Sequence, residues 1–397
     1  MSSEILERRA VISGIGQSAT GRRLGRTPLS LTIEAILTAL DDAGLDRSDI
    51  DGLACWPGYK EEPVGYSSVH MTDVKEAMRF ELNWYSAGSE GPQMASIINA
   101  CMAVASGQAK HVLCYRTVNE SSAAAAASGT HSSLVGAASE RVSGFGIWQS
   151  PFGAFSASNW VGLIASRYFH EFGAKREQLA QIALTSRRNA ALNPLGIYRE
   201  PLSMDQYMAS RIISTPLCLY DCDIPVDGSA VVIVSHRDFA RDLKSKPIGF
   251  EAICGPLYGR DTWDQQSDLT RFAADDAGKR LWSRTDLKPG DVDVAELYDG
   301  FSFLSLLWLE AMGFCGRGEA ASFIEGGHRI ALDGELPIAT GGGQLSSGRL
   351  HGLGHVLEAV TQLRGLGGER QVPNDPSVAA VTMGGGPIAS AALLVRL

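Results

Sequence analysis

Residues Ala295 to Gly313 read AELYDGFSFLSLLWLEAMG, and the rest of the chain is organised around them. Val292, Val294 and Leu297 lead in as a short strand, and Tyr298-Asp299-Gly300 then breaks the pattern. From Phe301 to Met312 almost every position is apolar, on all sides of a helix. A helix without a polar face has no place at a surface, so it belongs inside a large domain. It is also too short to cross a bilayer. The pattern predicts a strand that delivers Tyr298 and Asp299 to the start of a buried helix, where open α/β sheets keep their ligands. The plainer reading of the same residues is a strand-to-helix turn with Asp299 as the N-cap.

Just upstream, Leu287-Lys288-Pro289-Gly290-Asp291-Val292-Asp293 repeats Leu45-Asp46-Arg47-Ser48-Asp49-Ile50-Asp51 at an offset of 242 residues. At that offset the helical stretch 30–45 falls on 272–287, and the strand 10–14 falls on 252–256. Each half opens as strand, helix, Asp-x-Asp turn, strand. Each continues with a helix (89–106; 354–364), a strand (111–114; 378–382) and a last apolar strand (230–234; 389–395). Strands alternating with helices predict an α/β architecture with buried sheets. The repeat predicts two pseudo-symmetric βαβαβαββ halves, residues 1–245 and 246–397. The segment from about 117 to 225 has no counterpart in the second half. It is expected to be an inserted loop or lid region over a substrate site.

The chain has 397 residues, 45% of them hydrophobic and 20% charged, which fits a globular protein with a sizeable core. A net charge of −9 without a Lys/Arg-rich run argues against nucleic acid as a partner. The opening MSSEILERRAVISGIG is charged and then strand-like, unlike a signal peptide, and no stretch reads as a membrane span. Seven scattered cysteines look like reduced thiols, not a disulfide framework. A soluble cytoplasmic protein is expected.

Several motifs carry little. Gly14-Ile15-Gly16-Gln17-Ser18-Ala19 follows a strand, as a dinucleotide fingerprint would, but the chain continues TGRRLGRTP where a helix is required. Cys218 and Cys222 have metal-ligand spacing without a second pair to complete a zinc site. His351, His355 and Glu358 would share one helical face only if a helix ran through two glycines, so no metal is expected. Two glycine-rich passages are more informative: Thr340 to Gly352, which runs into a helix, and Met383 to Pro387, between the last two strands. Glycine lets backbone N–H groups approach a ligand closely. Arg349 adds a fixed positive charge there, and His351 a group that titrates near neutrality. Two tight turns with Arg349 and His351 at the surface are the plainer alternative.

Taken together, LDRSDIDGL (45–53), ELYDGFS (296–302), GGGQLSSGRLHGLGHVLEAVTQLRG (341–365) and TMGGGP (382–387) resemble the thiolase superfamily. The resemblance is to its lipid-transfer-protein, sterol-carrier-type branch and covers nearly the full chain. It implies the thiolase fold, with the duplicated half as part of it. Thiolases use a nucleophilic cysteine, an Asn or His in an Asn-Glu-Ala-Phe-like motif, a Gly-His-Pro histidine and a second cysteine. Matched residue by residue, Tyr85 takes the nucleophile's place and Tyr298 that of the Asn or His. Arg349 stands at the Gly-His-Pro histidine, with His351 two residues on, and Thr382 at the second cysteine. With both thiols missing, covalent acyl-enzyme chemistry is excluded.

The resemblance then points to the steroid side-chain-cleaving aldolases of that branch. It implies retro-aldol cleavage of a bulky 3-hydroxyacyl-CoA, a 17-hydroxy steroid side-chain thioester, to a 17-ketosteroid and a short acyl-CoA. Tyr298 is the expected proton-transfer group, its phenol, normally near ~10, lowered by Arg349. A second tyrosine of those enzymes falls near Arg349, where this sequence departs. His351 is the alternative base, and Asp299 orients one of the two. Tyr85, Ser86, Gly342, Gly343, Ser346, Gly385 and Gly386 are the implied substrate and CoA contacts. No cofactor is implied, since CoA enters as part of the substrate. Two other functions stay open: an acyltransferase subunit of the acylphloroglucinol type, and a noncatalytic lipid-binding subunit. The branch further implies a homodimer through the N-terminal half, around His111 to Tyr115. A small zinc-ribbon and OB-fold partner would complete an α2β2 heterotetramer, with no nucleic acid or membrane involved.

Overall fold

The computed structural model describes residues 5–61, 63–88, 91–126, 144, 146–241 and 243–397. Its strands are β1 (Ala10–Gln17), β2 (Gly52–Cys55), β3 (Trp84–Ala87), β4 (His111–Asn119), β5 (Ile212–Ser214), β6 (Leu217–Cys218), β7 (Asp227–His236), β8 (Ile248–Cys254), β9 (Val294–Glu296), β10 (Val378–Gly384) and β11 (Ala389–Arg396). β5 and β6 form a separate hairpin, and the other nine make one sheet in the order β3-β2-β4-β7-β1-β8-β11-β10-β9. The order mirrors itself about the β1–β8 junction. Moving outward from it, each side has two antiparallel pairings and then a parallel one, β4 with β2 on one side and β10 with β9 on the other. β3 is an additional strand on the first side. The junction itself is slight, two paired positions at Val11–Gly249 and Ile12–Ile248.

The repeated Asp-x-Asp turn has a physical reason. The short 3₁₀ helices Arg47–Asp49 and Pro289–Asp291 are each closed by their last aspartate, which accepts the N–H of Asp46 at 2.8 Å or of Lys288 at 2.7 Å. Asp51 accepts the N–H groups of Lys110 and His111 as β4 begins, at 2.9 and 3.0 Å. Asp293 does the same for Ser377 and Val378 at the start of β10, at 2.8 and 3.0 Å. Each carboxylate therefore satisfies backbone donors that a new strand would otherwise leave unpaired, and fixes the register of the neighbouring parallel strand. β8 departs from the repeat: it begins before Ala252 and stops at Cys254, ahead of Gly255-Pro256, because proline has no N–H for the ladder.

Away from edge strand β3, the sheet is buried on both faces. In β4 and β7, Val112, Cys114, Val232 and Val234 share a cluster with Ile97 and Val104 of the helix Ala95–Ala105. The alternate residues Leu113, Tyr115, Val231 and Ile233 pack with Ile36 and Leu40 of the helix Pro28–Ala43. This is the period-two alternation of strands covered on both sides. Gly14 and Gly16 serve the second helix: a Cβ at either would run into the backbone oxygens of Ala39 or Ala35. The glycines once comparable to a nucleotide fingerprint are thus a close helix–strand contact.

Three expectations change. Strand β4 continues past Cys114 to Asn119, because β7 pairs with it along its whole length and carries the ladder through Arg116 and Thr117. It lies inside the sheet between β2 and β7, so it offers no edge for a dimer at His111 to Tyr115; the free edge of that half is β3. Nor is the 117–225 region wholly a lid. Its helices Ala157–Phe172 and Arg176–Ala191, separated by Gly173 at φ 70°, bury Val161, Ile164, Tyr168, Leu179 and Ile182 in the main core. Apolar residues at helical spacing gave them a face to bury. The small-residue stretch of the expected lid, 127–143 and 145, lies outside the described residues. Among the described residues no helix is long and apolar enough to cross a membrane.

Candidate active site

The helix that follows β9 spans Ser302–Ala311, and Ser302 to Leu309 are all buried, as its composition predicts. Its N-cap is Phe301, not Asp299. The Asp299 carboxylate reaches elsewhere, accepting the N–H groups of Gln344 and Leu345 in the helix Gly343–Ser347 at 2.9 and 3.3 Å. Tyr298 sits just beyond the carboxyl end of β9, and its N–H is held by Thr382 Oγ1 on β10 at 2.9 Å. β9 and β10 are parallel, so Tyr298 and the Gly384–Pro387 turn emerge at the same end of the sheet. A cavity of about 640 Å³ opens there, lined by Tyr298, Arg349, His351, Asp223, Gln93 and Tyr66 among others.

The hydrogen bonds fix what each side chain can do. Gln93 Nε2 donates to the Tyr298 phenol oxygen at 3.0 Å, which leaves the phenol's own proton free to donate into the cavity. Arg349 is clamped: Nε and Nη2 donate to the two oxygens of Glu120 at 3.0 and 2.9 Å, and Nη1 donates to Asp223 Oδ1 at 3.0 Å. His351 Nδ1 lies 3.0 Å from Arg116 Nη2. A guanidinium can only donate, so Nδ1 is the acceptor and the neutral ring carries its proton on Nε2. The Arg116 guanidinium also lies over the Tyr66 ring at 4.6 Å, and that ring meets His351 edge-on at 4.6 Å.

Electrostatics sharpen these roles. Burial, reinforced by the Asp223 charge, pushes the Tyr298 phenol up, so it stays protonated at neutral pH. The net lowering expected from Arg349 does not result, because burial dominates and the Asp223 charge adds to the rise. Burial works against the Arg349 charge, but the Asp223 and Glu120 carboxylates overcome it and raise its pKa. Burial and then the charges of Arg116 and Arg349 hold His351 well below the usual imidazole range. It is a neutral N–H donor, not the alternative base. Behind Tyr298, burial opposes a charge on His355, yet Asp299 at 3.0 Å and Glu296 at 3.4 Å push it up to about 10.

Of the residues singled out from the sequence, Tyr298, Arg349, His351 and Gly386 line the cavity. Asp299 does not; it is spent on His355 and on the helix start at Gln344. Tyr85 is 71% exposed on edge strand β3, and Ser86 beside it accepts from Asn99, so neither lines the cavity. The residue facing Tyr298 from the first half is Gln93 instead. Gly342 accepts the hydroxyl of Ser186, and Ser346 bonds Ser186 and Arg187, which ties the preceding helix in place rather than contacting the cavity. Gly343 leaves room for the Asp299 carboxylate, and Gly385, at φ 122°, lies against the Trp308 indole. His351 lies in a turn at φ 52° and His355 in the helix Leu353–Leu363, so the two do not share a helical face. Among the described residues no group of three or more His, Cys, Asp or Glu side chains could hold a metal ion.

Sequence reasoning missed Asp223, Glu120, Arg116, Gln93 and Tyr66. Only Arg116 left a signal, a lone cation within the apolar run HVLCYRTV. A charge buried in a central strand requires partners.

A model described as thiolase C-terminal domain-like matches residues 259–396. The chain is 34% identical over 402 aligned positions to a steroid side-chain-cleaving aldolase of Thermomonospora curvata, covering 98% of each chain. It is also 34% identical to a 17-hydroxy-3-oxo-4-pregnene-20-carboxyl-CoA lyase of Mycobacterium tuberculosis, covering 91% of this chain and 93% of that one. Among solved structures, one described as an Ltp2-ChsH2(DUF35) aldolase superposes with a TM-score of 0.86 at 33% identity, covering 99% of both chains.

Proposed function

The chain belongs to the thiolase superfamily, in the branch of the steroid side-chain-cleaving aldolases, and on that premise we propose that it cleaves a 17-hydroxy steroid side-chain CoA thioester by a retro-aldol step. The products are a 17-ketosteroid and a short acyl-CoA. One observation carries this reading: the cavity at the end of β9 presents the Tyr298 hydroxyl and the His351 N–H beside acidic groups, and no cysteine is among its described lining residues. Acyl transfer through a thioester intermediate needs a nucleophile in that place. Carbon–carbon cleavage needs only a base for the hydroxyl and donors for the enolate oxygen. No cofactor enters this chemistry, and CoA arrives as part of the substrate.

The direct test is incubation with a 17-hydroxy-3-oxo steroid 20-carboxyl-CoA, with the ketone and the free acyl-CoA followed by mass spectrometry. Both products are expected in equal amounts. Intact-mass analysis of the protein after the same incubation is expected to give no acyl adduct. A stoichiometric adduct would instead favour the acyltransferase reading, and binding without turnover would favour a lipid-binding subunit.

The assembly is part of the proposal. The relative of known structure is described as a two-component complex, and we expect two copies of this chain, joined through the free β3 edge, with two of a small zinc-ribbon and OB-fold partner. Co-expression followed by size exclusion with light scattering tests this. Full specific activity from this chain alone would remove the partner requirement.

A further inference from the structure

Three aspartates lie close together in the segment LYDCDIPVDG, and two of them are fully engaged in holding the fold. Asp221 accepts from the Tyr207 and Ser302 hydroxyls and from the Cys218 N–H, which occupies both its oxygens. Asp227 accepts from the Leu24 and Ser122 N–H groups and the Ser122 hydroxyl, again with both oxygens. Asp223 differs. Its Oδ1 takes one bond from Arg349, its Oδ2 has no hydrogen-bond partner among the described residues, and its side chain is 7% exposed while lining the reaction cavity.

Its position is rigid. The Asp223 N–H donates to the Gly300 oxygen at 3.2 Å, and the next residue, Ile224, accepts the Arg349 N–H at 2.9 Å. The carboxylate is thereby fixed between the Tyr298-Asp299-Gly300 turn and the Arg349 turn. Other groups on the cavity serve less well as a base. Both oxygens of Glu120 are held by Arg349, Asp261 is exposed at the rim, His351 has its only lone pair on Arg116, and Tyr298 keeps its proton.

Resting on the retro-aldol reading above, we propose that Asp223 is the general base of the cleavage, with Tyr298 and the Nε2–H of His351 as donors to the thioester oxygen. The free carboxylate oxygen takes the proton of the β-hydroxyl. The O–H electron pair becomes the new C=O bond as the Cα–Cβ bond breaks, and that bond's pair moves into the thioester enolate. The protonated Asp223 then returns the proton to Cα. Ketone and acyl-CoA result, with no further reactant. Burial pushes Asp223 up to about 7, against the pull of Arg349 and with the support of Glu120 and Asp299. Tyr298, Tyr66 and Cys222 also face it, and none of them adds a positive charge. A base poised near neutrality has the best compromise between being deprotonated and being able to accept a proton.

The test is the pH dependence of kcat/KM with the steroid thioester. Since the charged carboxylate is the working form, wild-type activity should rise with pH to a plateau, with a midpoint near the value of about 7. Asp223→Asn should lower kcat by about a hundredfold or more and abolish the rising limb. Calorimetry should show it still binding the 17-deoxy analogue of the substrate. Asp223→Glu should restore part of the rate. Glu120→Gln provides an independent arm: removing a negative neighbour favours the ionised carboxylate, so the limb should move to lower pH. Cleavage by Asp223→Asn within tenfold of wild type, or an unmoved limb in Glu120→Gln, overturns the assignment while leaving the reaction intact. Absence of cleavage by the wild-type assembly overturns both.

Discussion

Tyr298→Phe should reduce kcat for side-chain cleavage by about 10²–10³-fold while KM changes little. The ring stays where it is, buried and edge-on to His355, so the fold and the substrate's apolar contacts survive. What is lost is one O–H presented to the cavity by a buried, fixed phenol, and a preorganised donor to developing negative charge is worth more there than in water. The variant also separates two roles for the phenol. As a donor, its removal lowers the plateau of the pH profile and leaves the rising limb near neutrality in place. As the base, its removal would erase that limb. Stopped assays across the neutral range, with product quantified at each pH, distinguish the two outcomes.

Arg349→Met should cost about 3–5 kcal/mol of stability, the usual consequence of removing one partner from a buried charge cluster. The side chain is 25% exposed and its partners Glu120 and Asp223 are 12% and 7% exposed, so water can replace little of what the guanidinium supplies. Methionine fills much of the same space but leaves two carboxylates facing each other. Burial already holds the Asp223 carboxyl above its unfolded value, and without the pull of Arg349 its folded-state pKa rises further. The folded protein therefore binds more protons than the unfolded chain between those values, and stability falls as pH rises through that window. Denaturant midpoints measured well above and well below neutrality should show a large deficit at the higher pH and a smaller one at the lower. A deficit that does not depend on pH would mean that Arg349 contributes by packing alone.

The repeat at 242 residues was legible because its job is local. Asp49 and Asp291 each close a turn, Asp51 and Asp293 each hold the start of the neighbouring parallel strand, and a short motif suffices to encode both. The buried helix Ser302–Ala311 was equally plain, since an uninterrupted apolar run leaves no face for water. The strand before it put Tyr298 at the mouth of the site. The ends of β4 and β7 were missed because hydropathy fades at Arg116 and Asp227, while backbone pairing between the two strands does not.

The sequence by itself thus determined the layered α/β plan, the repetition of its elements in two halves and the tyrosine, arginine and histidine brought to one cavity. Periodicity and short motifs encode such things, and they act over a few residues. Tertiary structure alone decided the proton positions. Arg116 fixes the His351 tautomer from 235 residues away, and Arg349 joins Glu120, 229 residues away, to Asp223, 126 away. The choice among Asp221, Asp223 and Asp227 depends on which oxygen is left without a partner. Protonation follows from desolvation and from distances between charges, and neither quantity exists until the chain has folded.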